Sequence, residues 1–213
     1  MRGIAPDVEG RSFYSCGDDK TVKQWSLKQS AVSSRGQVEP VKTILAPSAL
    51  NDIDHHWKDN QFATCGDTLC LWDSTRTAPL LNYKWGADSI TSLRFNPSEA
   101  CLLASTGSDR SVCLYDLRAS VPMRKFILAM RSNCIAWNPQ EPFNFTLANE
   151  DHNLYTFDMR SLSKALMIHK DHVSAVMSVA YSPTGKEFVT GGYDRTVRIF
   201  RANAGRSRYP MSI

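Results

Sequence analysis

The 213-residue sequence lacks any long apolar run, and no stretch approaches the roughly 18 apolar residues that a membrane-spanning helix requires. The first ten residues, MRGIAPDVEG, also lack the apolar core of a secretory signal peptide. The sequence therefore predicts a soluble, intracellular protein with no membrane partner.

Cysteine is sparse as well. The six cysteines are scattered, and no two form the C-x-x-C motif of a zinc ribbon. A metal site is suggested only by Asp54 with His55 and His56, and by His169 with Asp171 and His172. Adjacent residues in a strand point to opposite faces, so His55 and His56 are poorly placed to bind one ion. We therefore predict no metal site and no cofactor.

Catalytic motifs are absent too. The sequence has no G-x-S-x-G nucleophile motif, and the glycine pair at 191–192 precedes a turn aspartate rather than the Lys-Ser or Lys-Thr of a phosphate-binding loop. The net charge of +4 permits an anionic partner but does not require one. We predict a protein that is not an enzyme and has no small-molecule substrate.

What the sequence does contain is a repeat. Aromatic residues that close strand-like runs lie 47, 43, 42 and 43 residues apart, at Trp25, Trp72, Tyr115, Phe157 and Phe200. An aromatic-x-Pro motif recurs at Phe95, Trp137 and Tyr181. An aspartate lies six residues before four of the closing aromatics, at Asp19, Asp109, Asp151 and Asp194. Three landmarks thus share one period.

Between these landmarks lie short β-branched or aromatic runs such as VCLYD and TVRIF, bounded by turn motifs such as SPTG and NPSE. No segment carries a long helical stripe of apolar residues. A unit of about 40–45 residues built from short strands has the period of a β-propeller blade. We therefore predict an all-β fold.

The same residues resemble the WD-repeat family. The resemblance rests on LWD at 71–73, on the spacing from aspartate to aromatic, and on HVSAVMSVAYSP at 172–183. It implies a WD-repeat β-propeller, here an incomplete ring of about four to five blades. WD propellers usually have seven blades, so the chain is interpreted as a truncated member.

We assign residues 1–200 to this partial propeller, with units ending near residues 25, 72, 115, 157 and 200. The first unit is predicted to lack its opening strands, and the last to end just after TVRIF. The Ser-rich insertion at 28–40 is predicted to be an exposed loop, and residues 201–213 a disordered polar and basic tail.

The resemblance also implies a structural network in which the turn aspartate contacts a histidine, the histidine a Ser or Thr, and that hydroxyl the closing Trp. The positions that match are Ser15, Asp19 and Trp25 in the first unit, Ser105 and Asp109 in the third, and His172, Thr190 and Asp194 in the fifth. Phe200 stands in the Trp place and Gly86 in a His place. The second unit is predicted to have lost one residue and the turn aspartate.

Several longer stretches are similar to the WD-repeat and Sof-domain family, most specifically DHHW at 54–57 and NEDHNLYTFDMR at 149–160. That resemblance implies a nucleolar, non-enzymatic scaffold of the small-subunit processome in ribosome biogenesis, with pre-ribosomal proteins and pre-rRNA as partners. Its vertebrate members imply an alternative, a substrate receptor of a cullin-RING ubiquitin ligase. The sequence is interpreted as lacking the family's basic C-terminal region.

YDLR at 115–118 and FDMR at 157–160 resemble the WD-x-Arg box that meets the ligase adaptor, itself a propeller protein. The resemblance makes Asp116, Arg118, Asp158 and Arg160 candidate adaptor-binding residues. The alternative is that Asp-x-Arg is ordinary blade architecture. Arg76 in LWDSTR lies one residue out of register and is not expected to join them.

A basic cluster, Arg201, Arg206 and Arg208, lies near the end of the sequence. It is either an arm that contacts RNA phosphates or a solvated terminus.

Overall fold

The computed structural model describes residues 1–27, 39–84, 89–119 and 121–212, and the side chains only as far as residue 208. These residues form twenty β-strands and no helix. The strands build five four-stranded antiparallel sheets, and in each sheet the strand order follows the chain order. No helix capable of crossing a membrane occurs in the described part of the chain. The chain divides into two compact units, residues 1–95 and 96–213.

The first unit contains two complete sheets. Its strands are β1 (Gly3–Pro6), β2 (Ser12–Cys16), β3 (Thr21–Ser26), β4 (Lys42–Leu45), β5 (Asp52–His55), β6 (Gln61–Cys65), β7 (Leu69–Asp73), β8 (Leu81–Tyr83) and β9 (Ile90–Phe95). Sheet 1 is β1–β4 and sheet 2 is β5–β8. A shared apolar core, including Tyr14, Ile44, Ile53 and Phe62, is buried in this unit.

The second unit contains the remaining strands. They are β10 (Leu102–Gly107), β11 (Ser111–Asp116), β12 (Pro122–Ile127), β13 (Ser132–Trp137), β14 (Asn144–Asn149), β15 (Leu154–Asp158), β16 (Met167–His169), β17 (Val176–Tyr181), β18 (Glu187–Gly192), β19 (Thr196–Arg201) and β20 (Ser207–Ser212). Sheet 3 is β9–β12, sheet 4 is β13–β16 and sheet 5 is β17–β20.

Successive sheets in this unit bury apolar side chains against each other. Leu114 of sheet 3 lies in one cluster with Ile135 and Phe145 of sheet 4, and Ala148 of sheet 4 lies in another with Phe188 of sheet 5. A face of each sheet is therefore removed from water by its neighbour, as expected of stacked repeats. The predicted all-β fold is confirmed, and five four-stranded sheets, one per repeat, agree with an incomplete β-propeller.

The closing aromatics explain why the repeat is visible in the sequence. Each lies in the third strand of its sheet, opposite an apolar residue of the second strand. In four sheets that partner is a Phe, and the two rings stack at 5.5–6.2 Å: Phe13–Trp25, Phe62–Trp72, Phe145–Phe157 and Phe188–Phe200. Such cross-strand aromatic pairs stabilise a sheet and fix its register.

The turn aspartates have a local backbone role. Each of the four accepts a hydrogen bond from the backbone N–H two residues later, and the residue between them has a positive φ of 57–67°. Those left-handed residues are Lys20, Arg110, His152 and Arg195. The carboxylate holds a turn that L-residues rarely adopt, which accounts for the constant spacing.

The second hairpin is shorter than predicted. Cys16 pairs with Val22, six positions later, whereas Cys65 pairs with Leu69, only four positions later. Sheet 2 has therefore lost two residues from its turn, not one. Its Asp67 is exposed, and no positive φ occurs in this turn.

The structure corrects the predicted ends of the repeat region. The first repeat has its opening strand, because β1 pairs with β2. The last repeat continues beyond TVRIF, because β20 pairs with β19. The predicted disordered tail thus contains the outer strand of sheet 5. The Asp171 carboxylate accepts hydrogen bonds from the Arg206 guanidinium at 2.7 Å and the Ser207 N–H at 2.5 Å, and so fixes the start of that strand.

The missed outer strand is polar and contains Pro210, which an edge strand tolerates because one side needs no ladder hydrogen bond. Residues 28–38 of the predicted loop lie outside the described residues, as does Gly86.

Candidate protein-interaction site

Two Asp-x-Arg pairs lie where β11 and β15 end. In each, the aspartate is the last residue of the strand and the arginine is the second residue of the following turn. Asp116 and Asp158 accept the backbone N–H of Arg118 and Arg160 at 3.0 and 2.8 Å. The turn therefore folds each arginine back toward its own aspartate.

The side chains complete a bidentate ion pair. Arg118 donates from Nε at 2.9 Å and from Nη2 at 2.6 Å to Asp116, and Arg160 makes the same two contacts with Asp158 at 2.9 and 2.6 Å. These hydrogen bonds lower the pKa of both aspartates and raise the pKa of both arginines. Both pairs remain ionised across the physiological range.

The arginines face solvent. The Arg118 and Arg160 side chains are 75% and 65% exposed, while their aspartates are 25% and 14% exposed. Within the described part of the chain, neither Nη1 group makes a hydrogen bond. Each pair thus presents guanidinium donors outward from a fixed base, which suits recognition of a carboxylate or carbonyl group.

The corresponding turn of sheet 2 does not form this pair. Asp73 instead accepts from the N–H and hydroxyl groups of Thr75, at 2.8 and 2.6 Å. Arg76, one residue farther along, makes no ion pair with Asp73. Its placement agrees with the register argument that separated it from the two boxes.

Two contacts around Arg160 were not predicted. Its guanidinium carbon lies 4.6 Å from the centroid of the Phe143 ring. In addition, Nη1 of Arg124, on β12, donates to the carbonyl groups of Met159 and Arg160 at 3.2 and 3.1 Å. No sequence motif marks Arg124. Lys42 lies at the same register in sheet 1 as Arg124 in sheet 3, and it donates to the Ser74 and Arg76 carbonyls at 2.6 and 3.0 Å. A basic residue at this position of the repeat is therefore the sequence signal for the contact.

The fifth sheet brings its three candidate network residues together. His172 contacts Asp194 through Nδ1 and Thr190 through Nε2, both at 2.8 Å, and the His172 and Asp194 side chains are almost inaccessible to solvent. Burial alone would raise the pKa of Asp194, but hydrogen bonds from Thr196 and His172 lower it to about 2. The ionised Asp194 accepts a hydrogen bond from His172 Nδ1, while the Thr190 hydroxyl, which lies beside Nε2, also donates to the Arg198 carbonyl at 3.3 Å. The group is structural rather than exposed to a ligand.

The first and third sheets hold only parts of this network. The Trp25 indole N–H donates to Ser15 at 2.9 Å, while Asp19 contacts Thr21 and Lys23 near the surface. In the third sheet, Ser105 donates to the Tyr115 hydroxyl at 3.2 Å, and Lys125 donates to Asp109 at 3.0 Å. In both sheets the aspartate and the buried hydroxyl are not joined by a histidine.

His169 belongs to a second buried hydrogen-bond network. Its ring is fully buried, and its Nδ1 lies 2.7 Å from the Ala204 carbonyl, to which it donates. Nε2 must then accept from Thr156 at 2.9 Å, and the chain continues through Thr146 to the Tyr181 hydroxyl. This buried chain links sheets 4 and 5 by hydrogen bonds that the repeat pattern does not reveal.

The histidines beside Asp54 bond to backbone. His55 Nδ1 lies 2.8 Å from the His56 carbonyl, and His56 Nδ1 accepts from the N–H groups of Lys58 and Asp59. Asp54 accepts the Phe95 N–H. The described residues hold no group of three or more His, Cys, Asp or Glu side chains suited to a metal ion.

The basic cluster near the end of the chain is largely paired. Arg206 lies 2.7 Å from Asp171, and Arg208 lies 2.9 Å from Glu187. Arg201 is exposed on the last residue of β19. Because two of the three charges are matched by carboxylates, this segment is a weaker candidate for RNA contact than its sequence suggests.

Comparisons with known proteins agree with the repeat architecture. The family model "WD domain, G-beta repeat" matches residues 2–26, 79–116 and 163–201. The chain is 50% identical over 208 residues to "DDB1- and CUL4-associated factor 13" of Danio rerio and 53% identical over 208 residues to the Homo sapiens protein of that name, in each case covering 98% of this chain. It is 49% identical to "Protein SOF1" of Saccharomyces cerevisiae, covering 95% of this chain.

The chain spans only 44–46% of the length of these relatives. The match nevertheless runs through nearly every described strand. Proteins built from such repeats generally serve as scaffolds or receptors rather than as enzymes.

Proposed function

Since the chain is a WD40-repeat protein of the family that includes SOF1 and DDB1- and CUL4-associated factor 13, we propose that it is a scaffold of the small-subunit processome. It would have no catalytic activity and would bind pre-ribosomal proteins and pre-rRNA in the nucleolus, in support of small-subunit rRNA maturation. The similarity to SOF1 along almost the whole chain carries this proposal. Buried hydrogen-bond networks and outward-facing turns support a binding role over a chemical one.

Sedimentation tests this role. The tagged protein should co-sediment with large pre-ribosomal particles in nuclear extract and move to light fractions after RNase treatment. A tagged, unrelated propeller of similar size is the control for non-specific sedimentation. Sedimentation only in light fractions before RNase treatment would contradict the proposal.

The second candidate function is substrate reception for a cullin-RING ubiquitin ligase. The name of the vertebrate relatives gives DDB1 as a partner of those proteins, and the two exposed Asp–Arg pairs are the observation that favours the same partner here. Arg118 and Arg160 lie in the turns after equivalent strands, so they supply two cationic contacts for an acidic partner surface.

Charge reversal tests the second candidate. Arg118→Glu with Arg160→Glu should abolish RNase-resistant capture of purified DDB1, while Arg76→Glu should leave capture intact because Arg76 lies outside the paired geometry. Melting temperature is the folding control, since surface substitutions usually change stability by less than about 0.5 kcal/mol. Wild-type capture by the folded double variant would mean that the pairs are only blade architecture.

A further inference from the structure

The two Asp–Arg pairs have the same internal geometry but different surroundings. Arg118 is held by Asp116 alone. Arg160 is held by Asp158, covers the Phe143 ring, and belongs to a turn whose two carbonyl groups accept hydrogen bonds from Arg124. Among the described residues, no side chain donates to the Leu117 or Arg118 carbonyl groups. The backbone under Arg160 is therefore held by a side chain of another sheet, a contact that the described residues do not provide under Arg118.

The Arg124 contact comes from one register position in the fourth strand of its sheet. Arg124 pairs with Leu114, and the equivalent residues of the fourth strands in the first two sheets are Lys42, opposite Gln24, and Leu81, opposite Leu71. Lys42 and Arg124 each donate to two carbonyl groups of a following turn. A leucine has no donor, so this clamp depends on the residue at that position and is not a general property of the repeat.

We propose that Arg124 is a positioning residue that makes Arg160, rather than Arg118, the principal anchor of an acidic partner surface. This inference rests on the second candidate function, binding of DDB1. Arg124 acts through the backbone of residues 159–160, on which the Arg160 side chain is mounted. An arginine held before binding loses less side-chain freedom when the partner arrives, and that saving amounts to about a two- to tenfold change in affinity.

The test is a double-mutant cycle on the dissociation constant for purified DDB1. Arg124→Ala should weaken binding about two- to tenfold in the wild type and in the Arg118→Ala background, and have almost no effect once Arg160 is already Ala. Arg160→Ala should cost more affinity than Arg118→Ala. An Arg124→Ala effect of the same size in the Arg160→Ala background would overturn the proposal.

Two matched variants separate positioning from general destabilisation. Arg124→Lys should restore most of the affinity, because Lys42 shows that a lysine reaches both carbonyl groups of such a turn. Lys42→Ala removes an equivalent clamp beneath a turn without an Asp–Arg pair, and it should leave DDB1 affinity unchanged. Weakening by Lys42→Ala as large as that by Arg124→Ala would count against the proposal.

A second readout does not require DDB1. In ¹⁵N-resolved spectra, the Arg160 Nε proton should exchange with solvent more slowly than the Arg118 Nε proton, and Arg124→Ala should accelerate exchange at Arg160 alone. If the wild type fails to bind DDB1, the second candidate function fails while this measurement still decides the positioning role. Unchanged exchange at Arg160 in Arg124→Ala would refute that role.

Discussion

The second and fifth sheets each bury a threonine hydroxyl at the equivalent position, and the two hydroxyls have different hydrogen-bond partners. Thr64 and Thr190 each lie two residues beyond the Phe that stacks on the closing aromatic. Thr64 accepts the Trp72 indole N–H at 2.8 Å and contacts no histidine among the described residues, whereas Thr190 contacts His172 at 2.8 Å and faces Phe200, which offers no N–H group. Either half of the family's network is enough to pair this position, which explains why no repeat needs to keep all of it.

The same two sheets also carry aspartates with opposite pKa shifts. Hydrogen bonds outweigh burial at Asp194 and lower its pKa to about 2. At Asp54, burial raises the pKa to about 6, and neighbouring Asp52 adds to that effect. Arg94 opposes the rise, but it donates to Asp52 at 2.7 Å, and Asp54 receives the Phe95 N–H. Several hydrogen-bond donors offset burial at Asp194, whereas the donors to Asp54 do not offset its burial.

The largest expected loss of folding stability is at Asp194. Asp194→Ala would leave the His172 Nδ1–H and Thr196 hydroxyl donors without their acceptor, so it should lower the free energy of unfolding by about 2–4 kcal/mol. Asp67→Ala, in the exposed turn of sheet 2, should cost a few tenths of a kcal/mol. Urea denaturation of both variants measures the difference. Equal losses would mean that the network contributes no more to stability than an exposed turn.

The contrast between the two sheets was only partly visible in the sequence. The resemblance to the WD-repeat family was enough to place the fifth network at His172, Thr190 and Asp194, because the constant spacing of aspartate and closing aromatic fixes the register of the match. The outer strand β20 was missed because edge strands bury little, so their sequences need not alternate. The Arg124 clamp was missed because it joins a strand of one repeat to a turn of the next, and a period shows equivalence within repeats but not contact between them.

A smaller loss is expected at Thr64. Thr64→Val conserves shape but leaves the Trp72 N–H, on a side chain that is 1% exposed, without an acceptor. Stability should fall by about 1–2 kcal/mol. Thr190→Val is the matched variant, and it should cost a similar amount because His172 Nε2 and the Arg198 carbonyl then lose their hydrogen-bond partner. Denaturation midpoints would test the pair. A Thr64→Val midpoint equal to that of the wild type would show that the indole finds another partner.

The smallest effect is the pH response of Asp54, and its sign is opposite to that of Asp194. Because the folded pKa of Asp54, about 6, lies above the ordinary value of 3.8, the folded state binds the additional proton, and stability should rise as pH falls from about 7 to 4. Asp194, whose pKa is lowered to about 2, contributes stability above pH 4 that is lost as pH falls from 4 to 2. Burial also lowers the pKa of His55 and His169, which costs stability as the pH falls over the same range, so the Asp54 contribution is measured as a difference between variants. The melting temperature of the wild type relative to Asp54→Asn should rise as the pH falls from 7 to 4, and that of the wild type relative to Asp194→Asn should fall as the pH falls from 4 to 2. A difference between the wild type and Asp54→Asn that stays constant between pH 7 and 4 would contradict the raised pKa of Asp54 and leave the Asp194 arm of the comparison standing alone.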